Sequence, residues 1–449
     1  MATEQADLLI IGSGQGAVPL AVDCAADGRR VVVFERDRLG GTCVNWGCTP
    51  SKAFLGAAHA AGRARLAAPL GVDCDVHVDF GRLMGRVRAV RDRFTEGVAQ
   101  RLNDGRVEIV EAEAAFDADG SVRAGDRRFR APVIVIDTGS RSLVPPVAGL
   151  AACPSLTDHT VWELEALPQH LAVIGGGYVG LELGQGFARL GSTVRIFERS
   201  ERILAAEAPD IGAVLREALQ RDGVAIHDGT ELQSVECRRG RYRLHTDQGI
   251  HEADALLLAA GRIPNTAALN TEAVGIELDE RGCIKVDAQF RAGEGVYAIG
   301  EAAGQPAFTH VAWEDYRRLK DILDGGERRR DDRVLGYAVF TDPQVGRAGL
   351  SRDQAQAAGH KVETAEMPVA HMARGIEWGH ELGFYRLVVD ADSDRLLGAE
   401  LVGYEAGEIV HVVLDLVEAG VTAAELGRWQ HIHPTYAENL PGLARRSSG

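Results

Sequence analysis

Short apolar runs that stop abruptly at glycine recur along this chain. Leu8-Leu9-Ile10-Ile11 runs into Gly12-Ser13-Gly14-Gln15-Gly16-Ala17, and an Ala-rich helical pattern follows. Next comes Val31-Val32-Val33-Phe34, which ends on an acid, Glu35. Unbroken apolar runs between turn residues, alternating with helix, predict strands buried on both faces of a parallel sheet. The order returns in Leu171-Ala172-Val173-Ile174, then Gly175-Gly176-Gly177-Tyr178-Val179-Gly180, then Val194-Arg195-Ile196-Phe197 ending at Glu198. Further strands are predicted at 134–136, leading to Asp137-Thr138-Gly139-Ser140; at 255–258, leading to Gly261-Arg262; and at 296–299, tipped by Gly300-Glu301. A charged, loop-like stretch over 324–333 precedes a last region with strand patterns near 384–390 and 397–402. Helical patterns then begin at Glu405 and Thr422, and the tail over 445–449 is expected to fray.

Strand, glycine turn, helix, strand and terminal acid make up a dinucleotide fingerprint. The first glycine and the acid are 23 residues apart in both copies, 12 to 35 and 175 to 198. Gly12 permits the tight turn, Gly14 lets the backbone approach a pyrophosphate, and Ala17 lets helix and strand pack closely. Glu35 and Glu198 are placed to accept hydrogen bonds from ribose hydroxyls. Two copies imply two dinucleotides.

Between them lies Gly40-Gly41-Thr42-Cys43-Val44-Asn45-Trp46-Gly47-Cys48-Thr49-Pro50-Ser51-Lys52. The cysteine spacing is too wide for a thioredoxin motif, and no second pair completes a zinc site. Pro50 suits the first turn of a helix, which puts Cys48 at a helix N-terminus, where the dipole favours a thiolate. A low-pKa thiol beside a second thiol is equipped for disulfide exchange. The competing reading is a pair of inert, buried cysteines. A flavin can trade electrons with a disulfide, so the copy that leads into this loop is assigned FAD and the second copy nicotinamide. Glu198 repels a 2′-phosphate and favours NADH, although Arg199 and Arg202 leave NADPH possible.

With 449 residues the chain has room for three or four domains. Its 49 Lys plus Arg against 65 Asp plus Glu give a net charge of -16, which argues against nonspecific nucleic-acid or anionic-membrane binding. No apolar run approaches a membrane span, and Met1 to Asp7 do not resemble a signal peptide. Cys24, Cys74, Cys153, Cys237 and Cys283 are scattered and read as free thiols, so a reducing compartment, the cytoplasm, is expected. No metal site is expected. Near the far end, His433-Pro434-Thr435-Tyr436-Ala437-Glu438 offers an imidazole near neutral pKa with a carboxylate to orient it, able to take a proton from a dithiol and return it to a leaving thiolate. His431 is read as supportive.

With these residues assembled, the chain resembles class I pyridine nucleotide-disulfide oxidoreductases along nearly its whole length, in GGTCxNxGCxPSK, GGGYxGLE, GRxPN and HPTxxE. The resemblance implies two Rossmann-like α/β domains, for FAD (1–145 with 266–332) and NAD(P) (146–265), and an α+β dimerisation domain over 333–449. It implies Cys43 as the interchange thiol, Cys48 as the thiol beside the flavin, Lys52 and Glu182 as an ion pair next to it, and Tyr178 as a gate over the nicotinamide pocket. Gly41, Thr42, Thr138, Gly139, Gly175, Gly177, Gly180, Gly261, Arg262, Gly300 and Glu301 join the cofactor-binding set. Members are homodimers in which His433 and Glu438 reach the partner's cysteines. Three positions depart from the family pattern. Glu301 replaces Asp, Trp46 replaces a small aliphatic residue and could narrow access to Cys43 or stack on a ligand, and Asp137 replaces Ala for no reason visible in the sequence. The expected substrate is a small dithiol or disulfide, as for dihydrolipoamide dehydrogenase. The alternatives are a soft metal ion or other oxidant, as for mercuric reductase and the stress flavoproteins, and a flavin-bound sensor with little turnover.

Overall fold

The computed structural model describes residues 3–447. Leu8–Ile11 lies between Val133–Ile136 and Val31–Glu35, and Val296–Ala298 and Glu108–Glu111 extend the sheet on either side, all parallel. Arg291–Gly293 adds an antiparallel edge. The central strands are buried on both faces, so they read as unbroken apolar runs. Leu8, Ile10, Val31 and Val33 pack against Leu20, Leu102 and Leu319 from three helices, Ala17–Ala26, Phe80–Asp104 and Thr309–Leu323. Leu9, Ile11, Val32 and Phe34 pack against Phe116, Val122 and Phe129 of a small second sheet.

The second glycine unit builds its own parallel sheet in the order Ala225–His227, Thr193–Phe197, His170–Ile174, Ala255–Leu258. Helix Tyr178–Leu190 covers one face and an antiparallel three-stranded sheet over 232–253 the other. The C-terminal region is a five-stranded antiparallel sheet packed by helices Ala406–Glu418 and Asn439–Ser447. The fold is thus α/β with two Rossmann-like units and an α+β C-terminal part.

Each strand expected from the apolar runs forms within a residue of its expected ends. Three expectations need correction. Cys153 and Cys237 are not free thiols but are joined in a disulfide. They are 84 residues apart in sequence, and they meet because the segment around Ala148 runs beside Ser234 and accepts the Val235 N–H at 2.9 Å. Cys24, Cys74 and Cys283 are free, as expected. The tail is not frayed at Arg445, which lies in the last helix and donates to the Gly427 carbonyl at 2.6 Å; Ser448 and Gly449 lie outside the described residues. The helix expected from Thr422 is only Ala423–Leu426, ended at Gly427. Helix Phe80–Asp104 escaped the sequence reading because arginines crowd its surface. Its signals were the Asp79 cap on the Arg82 N–H and the apolar stripe Phe80, Met84, Val87. Among the described residues no helix is long and apolar enough to cross a membrane.

Candidate active site

The two cysteines stand on different helices. Cys43 lies in Gly41–Asn45, and Cys48 is the first residue of Cys48–Arg65. Gly40 and Gly41 take φ of 101° and 62°, which a residue with a side chain adopts only with strain. A Cβ on Gly41 would lie 3.0 Å from the Gly14 Cα, so the cysteine loop is docked directly on the first glycine turn. Thr309 Oγ1 is 3.1 Å from Cys48 Sγ. One turn along the helix, Lys52 Nζ lies 2.8 Å from Glu182 Oε2, and Glu182 Oε1 accepts the Phe340 N–H at 2.8 Å.

This setting makes the sulfurs unequal. A hydrogen bond from Cys43 draws Cys48 well below the ordinary thiol value, helped by the Thr309 hydroxyl and the Lys52 charge against the cost of burial. Cys43 is pushed far up by the same bond and by burial. In the dithiol state the proton therefore sits on Cys43 and the charge on Cys48. On acidification of the reduced protein, the ultraviolet thiolate absorbance should persist well below the ordinary thiol value of 9.0, and Cys43→Ala should move its midpoint upward. A wild-type midpoint near the ordinary thiol value of 9.0 would contradict the assignment.

Both cysteines face a cavity of about 970 Å³, at the upper end of small-molecule sites. Gly12, Gly14, Glu35, Thr138 and Glu301 also line it, as do Tyr178 and Glu182 from the second unit. The cradle suits a dinucleotide. Gly12 has φ 101°, and a Cβ there would collide with the Asp137 carbonyl oxygen. Glu35 accepts from the Ser13 hydroxyl at 2.6 Å and the Ser13 N–H at 3.1 Å, which brings the acid against the turn. Among the described residues Thr138 Oγ1 is buried with no protein partner, as a group awaiting a ligand would be. The second turn is built alike. Gly175 has φ 112°, a Cβ on Gly180 would collide with the Gly175 carbonyl, and Glu198 accepts the Gly176 N–H at 2.6 Å.

Comparison with known proteins agrees with this construction. The family model for pyridine nucleotide-disulphide oxidoreductases matches residues 6–315, and the model for the dimerisation domain of the same family matches 336–444. It belongs to that family. Dihydrolipoyl dehydrogenase 2 of Haloarcula marismortui is 33% identical over 100% of this chain and 98% of its own. The probable pyridine nucleotide-disulfide oxidoreductase RclA of Escherichia coli is 32% identical over 97% and 98%. The Cu(II) complex of the HOCl-induced flavoprotein disulfide reductase RclA from Escherichia coli superposes with a TM-score of 0.90 at 30% identity, covering 99% of this chain and 100% of that one. The enzyme is a flavoprotein oxidoreductase that links NAD(P)H, FAD and a redox-active disulfide.

In this oxidoreductase the departures from the family pattern have structural partners. Glu301 bonds to Ser140 and lies 3.1 Å from Arg262 Nε, and Arg262 also pairs with Asp158 at 2.6 Å. Trp46 stacks on His159 at 4.0 Å with the rings 8° apart, so a protein imidazole takes one face of the indole. Asp137 Oδ2 accepts the Ala17 N–H at 2.8 Å and so caps the first glycine helix. Arg202 is committed to the carbonyls of Leu204, Ala205 and Glu207, whereas Arg199 is exposed.

His433 and Glu438 form their expected pair, Nδ1 to Oε2 at 2.9 Å. They lie within the dimerisation domain and do not line the cavity, and the His433 side chain is 72% exposed. Within one chain this pair therefore stands outside the cavity that the two sulfurs line. Sequence reasoning missed Thr309, Tyr337 and Glu207. The carboxylate of Glu207 accepts the hydroxyls of Tyr178 at 2.5 Å and Tyr337 at 2.7 Å. No motif spacing marks these residues, because they reach the site from distant parts of the chain.

Proposed function

We propose that the enzyme passes electrons between NADH and a small dithiol or disulfide through Cys43 and Cys48, after the manner of a dihydrolipoyl dehydrogenase. The observation that carries this reading is the sulfur pair on the cavity wall, with Cys48 at the start of its helix, 3.1 Å from the Thr309 hydroxyl and one turn before Lys52. FAD, when bound, supplies a two-electron link between a nicotinamide and a disulfide. The residues proposed to hold it are Gly12, Gly14, Ala17, Glu35, Gly41, Thr42, Lys52, Thr138, Gly139, Gly300 and Glu301. Gly175, Gly177, Tyr178, Gly180, Glu198, Gly261 and Arg262 serve the nicotinamide dinucleotide and the approach to it.

The thiol steps belong to the chain itself. Cys43 loses its proton to His433 and attacks one sulfur of the substrate, forming a mixed disulfide. The leaving thiolate takes that proton back from His433. Cys48 then attacks the Cys43 sulfur, the second substrate sulfur leaves as a thiolate, and the Cys43–Cys48 disulfide closes. Two electrons have passed from the pair to the substrate, and a dithiol substrate runs the sequence in reverse. Because Cys43 is pushed up, it needs a base, and Glu438 holding Nδ1 leaves Nε2 of His433 free to act. The dimerisation domain and the exposure of His433 support a homodimer in which this pair serves the cysteines of the other copy.

The inward acid Glu198 and the occupied guanidinium of Arg202 support NADH over NADPH. The ratio of kcat/KM values should favour NADH by at least about tenfold; a ratio favouring NADPH would overturn this choice. Val296–Ala298 joining the first sheet supports the division into 1–145 with 266–332, 146–265 and 333–449. The free thiols Cys24, Cys74 and Cys283 support a cytoplasmic setting, with less weight now that Cys153 and Cys237 are paired.

A second reading is favoured by the superposition on RclA, solved as a Cu(II) complex, and by mercuric reductase of Bacillus cereus, 31% identical over 97% of this chain. Here the thiolate pair would meet a soft metal ion or another oxidant. Stopped-flow mixing of the NADH-reduced enzyme with lipoamide, glutathione disulfide, cupric and mercuric ions separates the two. Fast reoxidation by lipoamide alone supports the first reading, and reoxidation only by the ions supports the second.

A further inference from the structure

Asp137 stands where the first glycine turn meets the loop that follows Val296–Ala298. Its carboxylate is enclosed by backbone. A Cβ on Gly14 would lie 2.7 Å from Oδ2, one on Gly16 3.3 Å from Oδ2, and one on Gly300 3.0 Å from Oδ1. Oδ2 takes the Ala17 N–H at the positive end of the helix, and the residue lines the cavity. The charged groups that face it are anions, Asp315 from helix Thr309–Leu323 and Glu301 from the turn over 300–303. Each of those is matched with its own arginine, Asp315 with Arg333 and Glu301 with Arg262. Helix Ala17–Ala26 offers Asp137 only backbone N–H groups, and among the described residues no cation pairs with it.

We propose that flavin binding in this enzyme is coupled to protonation of Asp137. The carboxyl takes one proton from solvent as the FAD pyrophosphate arrives, so FAD is held more tightly at acid than at alkaline pH. This rests on the reading that sets the pyrophosphate at the turn over 12–16. Two anions would then compete for a single helix N-terminus. Burial, with the neighbouring carboxylates Asp315 and Glu301, already pushes Asp137 up to about 7. A second anion nearby raises it further, because like charges disfavour the ionised form. The bound state thus keeps the proton over a pH range in which the free protein loses it. A neutral carboxyl still accepts the Ala17 N–H through its carbonyl oxygen and adds an O–H donor.

The test uses full-length holoenzyme, serially diluted between pH 6 and 9, with dissociated FAD read by its fluorescence. The wild-type Kd should be nearly flat below about pH 7 and rise roughly tenfold per pH unit above it, the slope for uptake of one proton. Asp137→Asn should be flat and hold FAD more tightly than wild type at pH 9. Asp137→Ala should also be flat, which guards against an effect peculiar to the amide. A flat wild-type profile, or an Asn variant as steep as wild type, overturns the proposal. Gly14→Val separates this from the placement of the pyrophosphate. It should weaken FAD, and if it binds FAD as wild type does, the placement itself is wrong. Should Gly14→Val not fold, the wild-type and Asn profiles decide.

Discussion

Cys43→Ser should lower turnover of any disulfide substrate by roughly a thousandfold or more, yet leave reduction of the bound flavin by NADH nearly intact. The serine keeps a hydroxyl near Cys48 but cannot form the mixed disulfide, because an alkoxide is neither accessible at neutral pH nor able to exchange with sulfur. Flavin absorbance under anaerobic NADH reads the retained half-reaction, and steady-state assay with lipoamide reads the lost one. Full lipoamide activity in this variant would refute the thiol assignment. The split is diagnostic because Cys43 rides on its own short helix, Gly41–Asn45, while the Lys52–Glu182 pair at 2.8 Å belongs to the following helix and to the second unit. A merely structural defect would damage both half-reactions.

Replacing His433 by Ala should cost about 10²–10⁴ in kcat with disulfide substrates, the range for loss of a general acid–base. Glu438→Gln should cost less, because it removes the orienting charge and leaves the imidazole in place. The shared-site arrangement gives a sharper check. Chains carrying Cys43→Ser, coexpressed with chains carrying His433→Ala, should form mixed dimers in which one of the two sites is intact, and these should recover activity that neither parent shows. Mixed dimers as inactive as the parents would rule out a base supplied across the interface.

Much of the scaffold was legible because its determinants are local. Leu8–Ile11 and Val31–Glu35 are buried on both faces, so their composition alone marks them as interior strands. Gly12 and Gly175 hold positive φ, which few other residues tolerate, and each sits where a run of strand turns into helix. Cys48 at the start of its helix followed from Pro50, and the His433–Glu438 pair followed from five residues of spacing. What stayed hidden depends on residues far apart in sequence. Thr309 reaches Cys48 across 261 positions, and Cys153 meets Cys237 across 84. No periodicity encodes such encounters.

The amino-acid sequence alone determined the two nucleotide-type units, the sulfur pair and the pairing of His433 with Glu438, because each is written in a short segment whose backbone preferences are intrinsic. The tertiary structure decided which distant groups favour the charge on Cys48, where Glu301 and Asp137 find partners, and that His433 does not line the cavity that holds the sulfurs of its own chain. Those outcomes rest on electrostatics and burial, which fall off steeply with distance and so depend on which distant segments the fold brings within a few ångströms of one another.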